Sequence, residues 1–241
     1  MAEMKSLSIL VPVYNEEDTI GDILDRIAMV IRNGISEDIA HVEIIIVNDG
    51  STDRTQSFIE DFIKANPDLS VKSYFQRNGG KGLAIRKAIL EAHSDILVVQ
   101  DADMEYDPGD FSIMVPYIAS GEYSVVYGSR YLNHNNKRSY SSFYFGGRLV
   151  SFVTNVLYGL HLTDEPTCYK MFTKEVISEI DLKCTGFEFC PELTAKIAKL
   201  GYKICEVPIH YYPRSIEEGK KISWKDGIEA IWTLLKYRFT D

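Results

Sequence analysis

The sequence predicts an α/β fold: a mostly parallel sheet flanked by helices on both faces. Three observations carry that prediction. The first half alternates short apolar runs with helical patterns. The apolar runs are hydrophobic on both sides, as strands covered from two directions must be. Each leads into a polar turn, and three of those turns are acidic, at the place where sheets of this kind bind ligands.

In chain order, residues 7–13 (LSILVPV) read as a strand. Residues 17–33 carry Ile20, Ile23, Leu24, Ile27 and Ile31 at helical spacing. A second strand covers 43–48 and a helix 53–65, with Asp53 or Ser51 as its cap. Residues 71–75 form a third strand, 81–92 a helix and 95–100 a fourth strand. The second half is less regular. It reads as a helix over 109–119, a strand over 123–128, a polar loop over 132–142 and an apolar helix over 143–160. A strand at 168–173, a helix at 187–200, a strand at 202–207 and a final helix at 223–238 complete it.

Composition narrows the function. The chain has 241 residues and a net charge of −9, so it lacks the basic excess that nucleic-acid binding needs. An anionic ligand must instead be met by local cations or a metal. The four cysteines, Cys168, Cys184, Cys190 and Cys205, contain no CxxC pair, which argues against zinc and for reduced thiols in a cytoplasmic setting. The N-terminal residues lack the pattern of a signal peptide, and no apolar run reaches the roughly 18 residues that span a bilayer.

The chemistry concentrates at the strand ends. Asp101-Ala102-Asp103 follows the strand DILVVQ. Two carboxylates at i and i+2 can reach one cation, and oxygen ligands suit Mg²⁺ or Mn²⁺. The plainer role is a turn in which the aspartates cap backbone amides. Asp49, in VNDGSTD, can accept from the ring N–H of a nucleobase or organise a turn, and both roles can hold together because Asp53 can cap the helix. Asn78-Gly79-Gly80-Lys81-Gly82 opens a helix, where glycines let amides approach an anion; alternatively Lys81 is a surface lysine. No GxxxxGK[ST] and no GxGxxG after the first strand is present, which disfavours kinase-like NTPases and NAD-dependent dehydrogenases. Arg130 and Arg214 are of the type suited to bidentate phosphate contact, though singly each is more readily a surface charge. Residues 214–221 (RSIEEGKK) have the character of a lid.

Together VPVYNEE, VNDGSTD, NGGKG, QDADME and YGSR, in this order, resemble the family 2 glycosyltransferases of GT-A (Rossmann-like) fold. The resemblance continues through TDEPTCYK, GFEF and the YYPRS…EGKKISWKDG tail, which is similar to the polyprenyl-phosphate hexose synthases, the dolichol-phosphate mannose synthase-like branch. It implies a single domain over 1–241, with a nucleotide-binding half (1–105) and an acceptor-binding half (106–241). It implies that Pro12, Tyr14, Glu16 and Asp49 surround the base and ribose. Asp101, Ala102 and Asp103 match the metal and diphosphate motif. Glu105 stands where the branch often has Gln, and is a further candidate metal ligand. Arg130 and Arg214 match phosphate-contacting positions, with Lys81 and either Lys220 or Lys221 as additional cations.

The reaction this implies is inverting transfer of a hexose from a nucleoside diphosphate to a polyprenyl phosphate, with Mg²⁺ or Mn²⁺ as cofactor. Asp103, Arg130 and Arg214 would carry the catalysis by stabilising the leaving diphosphate. An ionised phosphate acceptor needs no strong base. A sugar-hydroxyl acceptor, as in cell-envelope polysaccharide synthesis, would need one, and Asp164, Glu188 and Glu192 are the candidates. A non-catalytic nucleotide-sugar-binding subunit of a membrane complex is the rival class. A sugar-nucleotide pyrophosphorylase would need a glycine-rich basic loop where VPVYNEE stands.

A lipid acceptor raises the question of how the protein meets a membrane. Many members of the branch carry transmembrane helices after the catalytic domain. Here the apolar segment 143–160, edged by Arg148, reads either as an interfacial helix or as a core or oligomer helix. The final helix presents Ile228, Ile231, Trp232, Leu235 and Phe239 with the same alternatives. Peripheral membrane contact, a membrane-protein partner and self-association are all expectations of this reading.

Overall fold

The computed structural model describes residues 4–137, 141–214 and 223–240. Strand β1 (Lys5–Val13) leads through helix α1 (Ile20–Asn33) to β2 (Ile39–Asn48), α2 (Thr55–Ala65) and β3 (Ser70–Phe75). Helix α3 (Lys81–Glu91) then leads to β4 (Ile96–Val99). Past a 3₁₀ turn at Pro108–Asp110 come α4 (Phe111–Ala119), β5 (Val125–Ser129), α5 (Ser141–Tyr158), β6 (Lys170–Thr173) and α6 (Lys174–Ser178). Helix α7 (Phe189–Lys199), β7 (Ile204–Pro208) and α8 (Trp224–Phe239) complete the order.

The strands form one seven-stranded sheet in the order β3-β2-β1-β4-β6-β5-β7, so the two halves of the chain share a sheet. Strands β1–β4 pair in parallel, with Val13 opposite Asn48 and Leu10 opposite Val99. The polar ends of β1, β2 and β4 therefore emerge side by side. Strand β6 runs antiparallel to both its neighbours. Nothing in its short buried run distinguishes direction.

Alternate residues of β1 face opposite layers. Leu7, Ile9 and Val11 pack with Ile20, Ile23 and Leu24 of α1 and with Phe111 of α4. Leu10 instead meets Ala84 and Ile85 of α3 and Leu193 of α7. Burying each such aliphatic side chain contributes roughly 1.5–3 kcal/mol, which is why the apolar runs specify a two-sided sheet. A third cluster joins α5 and α8 through Val150, Leu234 and Tyr237, with Ala195 of α7 beneath.

Two local expectations change. Ser51 accepts from Asn15 N at 2.9 Å and so ties two strand-end turns rather than capping α2. Asp53 accepts from Thr55 N at 3.0 Å and from Glu17 N at 3.1 Å, anchoring the start of α2 from just outside it. All four cysteines are free thiols. Among the described residues no helix is long and apolar enough to cross a membrane.

Candidate active site

The strand ends open into a cleft of about 1410 Å³. Pro12, Tyr14, Glu16, Asp49, Lys81, Asp101, Ala102, Asp103, Glu105, Arg130 and Arg214 all line it. Lys220 and Lys221, and residues 215–221 of the expected lid, lie outside the described residues.

Its floor is built by turns that bond to one another. Asn15 adopts φ of 47°, a left-handed conformation that asparagine tolerates, and its Oδ1 accepts from Thr52 N at 2.8 Å. Glu16 N donates to Thr55 Oγ1 at 2.9 Å. The Thr19 hydroxyl meets both Glu16 Oε2 (2.9 Å) and Ala102 O (2.8 Å), tying the end of β1 to the Asp101–Asp103 turn. That turn closes with Met104 at φ of 63° and Glu105 N donating to Asp103 Oδ1 at 3.1 Å. Non-glycine residues in this region cost on the order of 1–3 kcal/mol and cluster at functional sites.

Asp49 lines the cleft and also organises the loop beside it. Its carboxylate accepts from Gln76 Nε2 at 2.7 Å, Gly79 N at 3.0 Å and Gly80 N at 2.7 Å. The glycine amides, expected to greet an external anion, are turned onto this internal one. Gly80 is required there: its φ is 96°, and a Cβ would lie 2.4 Å from Thr185 O. The loop fixes Lys81 at the start of α3, where Nζ pairs with Asp101 Oδ1 at 2.6 Å and lies 3.1 Å from Cys168 Sγ. Desolvation disfavours the charged ammonium, but the Asp101 carboxylate more than offsets it and holds Lys81 well above the ordinary lysine range.

Arg214 crosses the cleft from the other half of the chain. It pairs with Glu16 at 3.1 Å and with Asp103 Oδ2 at 3.2 Å. Its backbone N–H donates to Glu105 Oε1 at 2.8 Å, while Tyr211 OH donates to Glu105 Oε2 at 3.2 Å. Glu105 thus anchors the 211–214 segment, a role the sequence did not announce. Among the described residues Arg214 Nε is buried with no hydrogen-bond partner. A buried, unmatched N–H beside a carboxylate pair is a group that an incoming anion would satisfy.

Arg130 is held more firmly. Its Nε and Nη2 donate to Asp164 Oδ2 and Oδ1 at 2.7 and 2.6 Å, and its backbone N donates to Oδ2 at 2.9 Å. Asp164 is fully buried. Glu206 of β7 accepts from Thr163 N and Asp164 N, at 2.6 and 2.9 Å, and so fixes the loop that carries this aspartate. The fork of Arg130 is spent on Asp164, leaving its outer edge for the cleft beside the rings of Tyr131 and Tyr211.

The three candidate bases stand elsewhere. Asp164 is committed to Arg130, and none of the three lines the cleft. Glu192 is fully buried and accepts from Lys183 N (2.7 Å), Cys184 N (2.6 Å) and Lys196 Nζ (2.6 Å). Glu188 closes its own turn by accepting from Thr185 N and Gly186 N.

Whether the site suits a divalent cation can be judged from its donors. Among the described residues no three His, Cys, Asp or Glu side chains converge as a ready metal cluster. Mg²⁺, however, is usually held by one or two carboxylates, with water and substrate phosphate completing the shell. Asp103 is pushed up to about 7, first by desolvation and then by the adjacent Asp101 and Glu105 carboxylates. Bringing a cation to Asp101 and Asp103 would relieve that excess, so the pair fits such an ion.

Residues 8–181 match the family model described as Glycosyl transferase family 2. Over 238 residues the chain is 30% identical to a dolichyl-phosphate beta-glucosyltransferase of Trichomonas vaginalis, covering 95% of this chain and 72% of that one. It is 26% identical over 235 residues to the undecaprenyl-phosphate mannosyltransferase of Micrococcus luteus, covering 90% of this chain and 87% of that one. Glucosyl-3-phosphoglycerate synthase of Mycobacterium tuberculosis, solved with Mn²⁺, UDP and phosphoglyceric acid, shares the fold. Its TM-score is 0.70 at 18% identity, over 98% of this chain and 80% of that one. The GT-A architecture expected from the motifs is the one observed.

Proposed function

The chain belongs to glycosyl transferase family 2, and from that premise we propose that it moves a hexose from a nucleoside diphosphate sugar to a polyprenyl phosphate. Both relatives described above are named for polyprenyl-phosphate acceptors. The observation that carries the choice of acceptor is the withdrawal of Asp164, Glu188 and Glu192 from the cleft. A sugar hydroxyl must lose a proton as it attacks, whereas a phosphate is already ionised at neutral pH. The carboxylates that do line the cleft are engaged by cations, Asp101 by Lys81 and Glu16 and Asp103 by Arg214, an arrangement that suits the second.

In this reading the nucleotide lies along the ends of β1 and β2, between Pro12, Tyr14 and the loop that Asp49 organises. Asp101 and Asp103 would hold Mg²⁺ or Mn²⁺, which when bound would supply charge neutralisation for the departing diphosphate. Arg214 turns its unmatched Nε toward the phosphates, and its ion pairs with Glu16 and Asp103 bridge the two halves of the site. Arg130, aimed by Asp164, presents its outer edge to the acceptor phosphate. The acceptor oxygen attacks the anomeric carbon as the bond to the diphosphate breaks, in a single displacement that inverts the centre. These residues bind and orient two anions that would otherwise repel each other.

The test offers a panel of nucleoside diphosphate hexoses together with either a polyprenyl phosphate or the corresponding alcohol. Labelled sugar is expected in the organic phase with the phosphate alone. Transfer to the alcohol or to a glycan hydroxyl, with none to the phosphate, would overturn the proposal.

A further inference from the structure

Helices α5 and α8 bury one face of each against the other and leave a second apolar face uncovered. Val150, Leu157, Leu234 and Tyr237 fill the shared seam, and Tyr158 OH donates to Leu234 O at 2.7 Å. On α5, Phe145, Leu149, Phe152 and Val156 are each more than half exposed. Their spacing of four, three and four residues puts them on one stripe. On α8, Trp224, Ile228, Trp232 and Phe239 are also more than half exposed and follow the same periodicity. Exposed apolar surface this concentrated marks an interaction site rather than scatter.

Two features select the occupant. First, the stripes continue into the active-site cleft, because Leu149, Trp224 and Ile228 also line it. Second, the local charge opposes that of the whole. In a chain of net charge −9, these two helices carry four cations (Arg148, Lys225, Lys236 and Arg238) against two carboxylates (Asp226 and Glu229). Exposed tryptophans with lysine and arginine alongside an apolar stripe are the composition of a helix lying in a bilayer interface. A second copy seated here would cover the same residues that form one side of the cleft.

Resting on the lipid-phosphate reading above, we infer that α5 and α8 form a membrane-docking face that lays the cleft mouth against an anionic bilayer. A polyprenyl phosphate then presents its headgroup to Arg130 while its tail stays in the lipid. The helices lie on the membrane. The acceptor is extracted only as far as its phosphate.

Flotation of the full chain with vesicles of phosphatidylcholine, with or without phosphatidylglycerol, tests this. The wild type is expected to float with the vesicles, more strongly with the anionic lipid. Phe152→Asp and Trp232→Asp change residues outside the cleft, and unchanged melting curves would show that both variants fold. Each should weaken vesicle binding about tenfold or more, as loss of one inserted large apolar side chain implies. Transfer to a short-chain, water-soluble prenyl phosphate should be unchanged in both, while transfer to long-chain acceptor in vesicles falls. Wild type that stays with the aqueous layer, or variants that float like wild type, would overturn the inference. So would a wild-type dimer that ignores vesicles and that Trp232→Asp converts to monomer. Vesicle binding that is lost in the variants, without transfer to any prenyl phosphate, would sustain the docking face and reject the acceptor reading.

Discussion

Replacing Asp164 with Asn separates positioning from packing at the acceptor side of the cleft. The substitution keeps the shape of a fully buried side chain but removes the charge that meets Arg130 through contacts of 2.6, 2.7 and 2.9 Å. Breaking a buried pair from one side costs about 3–5 kcal/mol, because the partner charge is left uncompensated. Arg130 keeps 17% of its side chain exposed at the cleft, so water recovers part of that cost and about 3 kcal/mol is expected. With an m-value of about 3 kcal/mol/M, the urea midpoint should fall by about 1 M. Loss of an aimed cation should also lower kcat by about 10²–10³. Arg130→Met and the double variant complete a cycle, read by urea denaturation and by transfer rate. The double variant should be less destabilised than the sum of the singles, by about 2 kcal/mol, since neither charge is then stranded. Activity should stay low in all three. Additive stabilities, or a fully active Asp164→Asn, would refute the idea that Asp164 exists to hold Arg130.

Three further outcomes follow from particular contacts. Burial opposes ionisation of Glu43, but Ser8, His93 N and Lys72 overcome it and pull its carboxyl down to about 2 from the ordinary 4.5. That stabilisation is present above pH 4.5 and is lost as pH falls through about 2. Glu43→Gln should therefore remove on the order of 3 kcal/mol at pH 7 and flatten the acid limb of a stability–pH curve; an unchanged limb would contradict it. Gly80→Ala forces a Cβ to within 2.4 Å of Thr185 O at a φ of 96°. A loss of about 2 kcal/mol or more in thermal unfolding is expected, with weaker donor binding as the Asp49 loop shifts; a wild-type melting curve would contradict it. His210 is held above its ordinary range by its hydrogen bond and charge contact with Asp110, at 2.8 Å. Its contribution is thus complete below about pH 6.5 and disappears as pH rises through the raised value. Because the ring is 55% exposed, His210→Gln should cost no more than about 1 kcal/mol at pH 5.5 and nothing at pH 9.

Much of this molecule is legible in the sequence because its signals are local. Asp101 and Asp103 were readable as a pair since an apolar strand delivers both to one sheet end. The parallel pairing of β1, β2 and β4 followed from apolar runs buried on both faces. What escaped depends on partners distant in the chain. That Asp49 also holds Gly79 and Gly80 emerges only when residues thirty positions apart are folded together. The pairing of Arg130 with Asp164 has the same origin, which is why Asp164 read as a candidate base. Strand β6 looked like any other buried run, and its antiparallel direction appears only in its pairing with β4 and β5. Lys170 falls inside the expected strand at 168–173, but its complete burial was not legible; its ammonium is met by Glu165 O at 2.7 Å and the face of Tyr127.

The central claim is that Asp101 and Asp103 grip the leaving diphosphate through a divalent cation. Calorimetric titration of the wild type and of Asp103→Ala with a nucleoside diphosphate, with and without Mn²⁺, addresses it most directly. Wild type should bind the nucleotide markedly more tightly when Mn²⁺ is present, and Asp103→Ala should lose that increment while retaining its metal-free affinity and its melting temperature. Equal Mn²⁺ enhancement in both proteins would contradict the account.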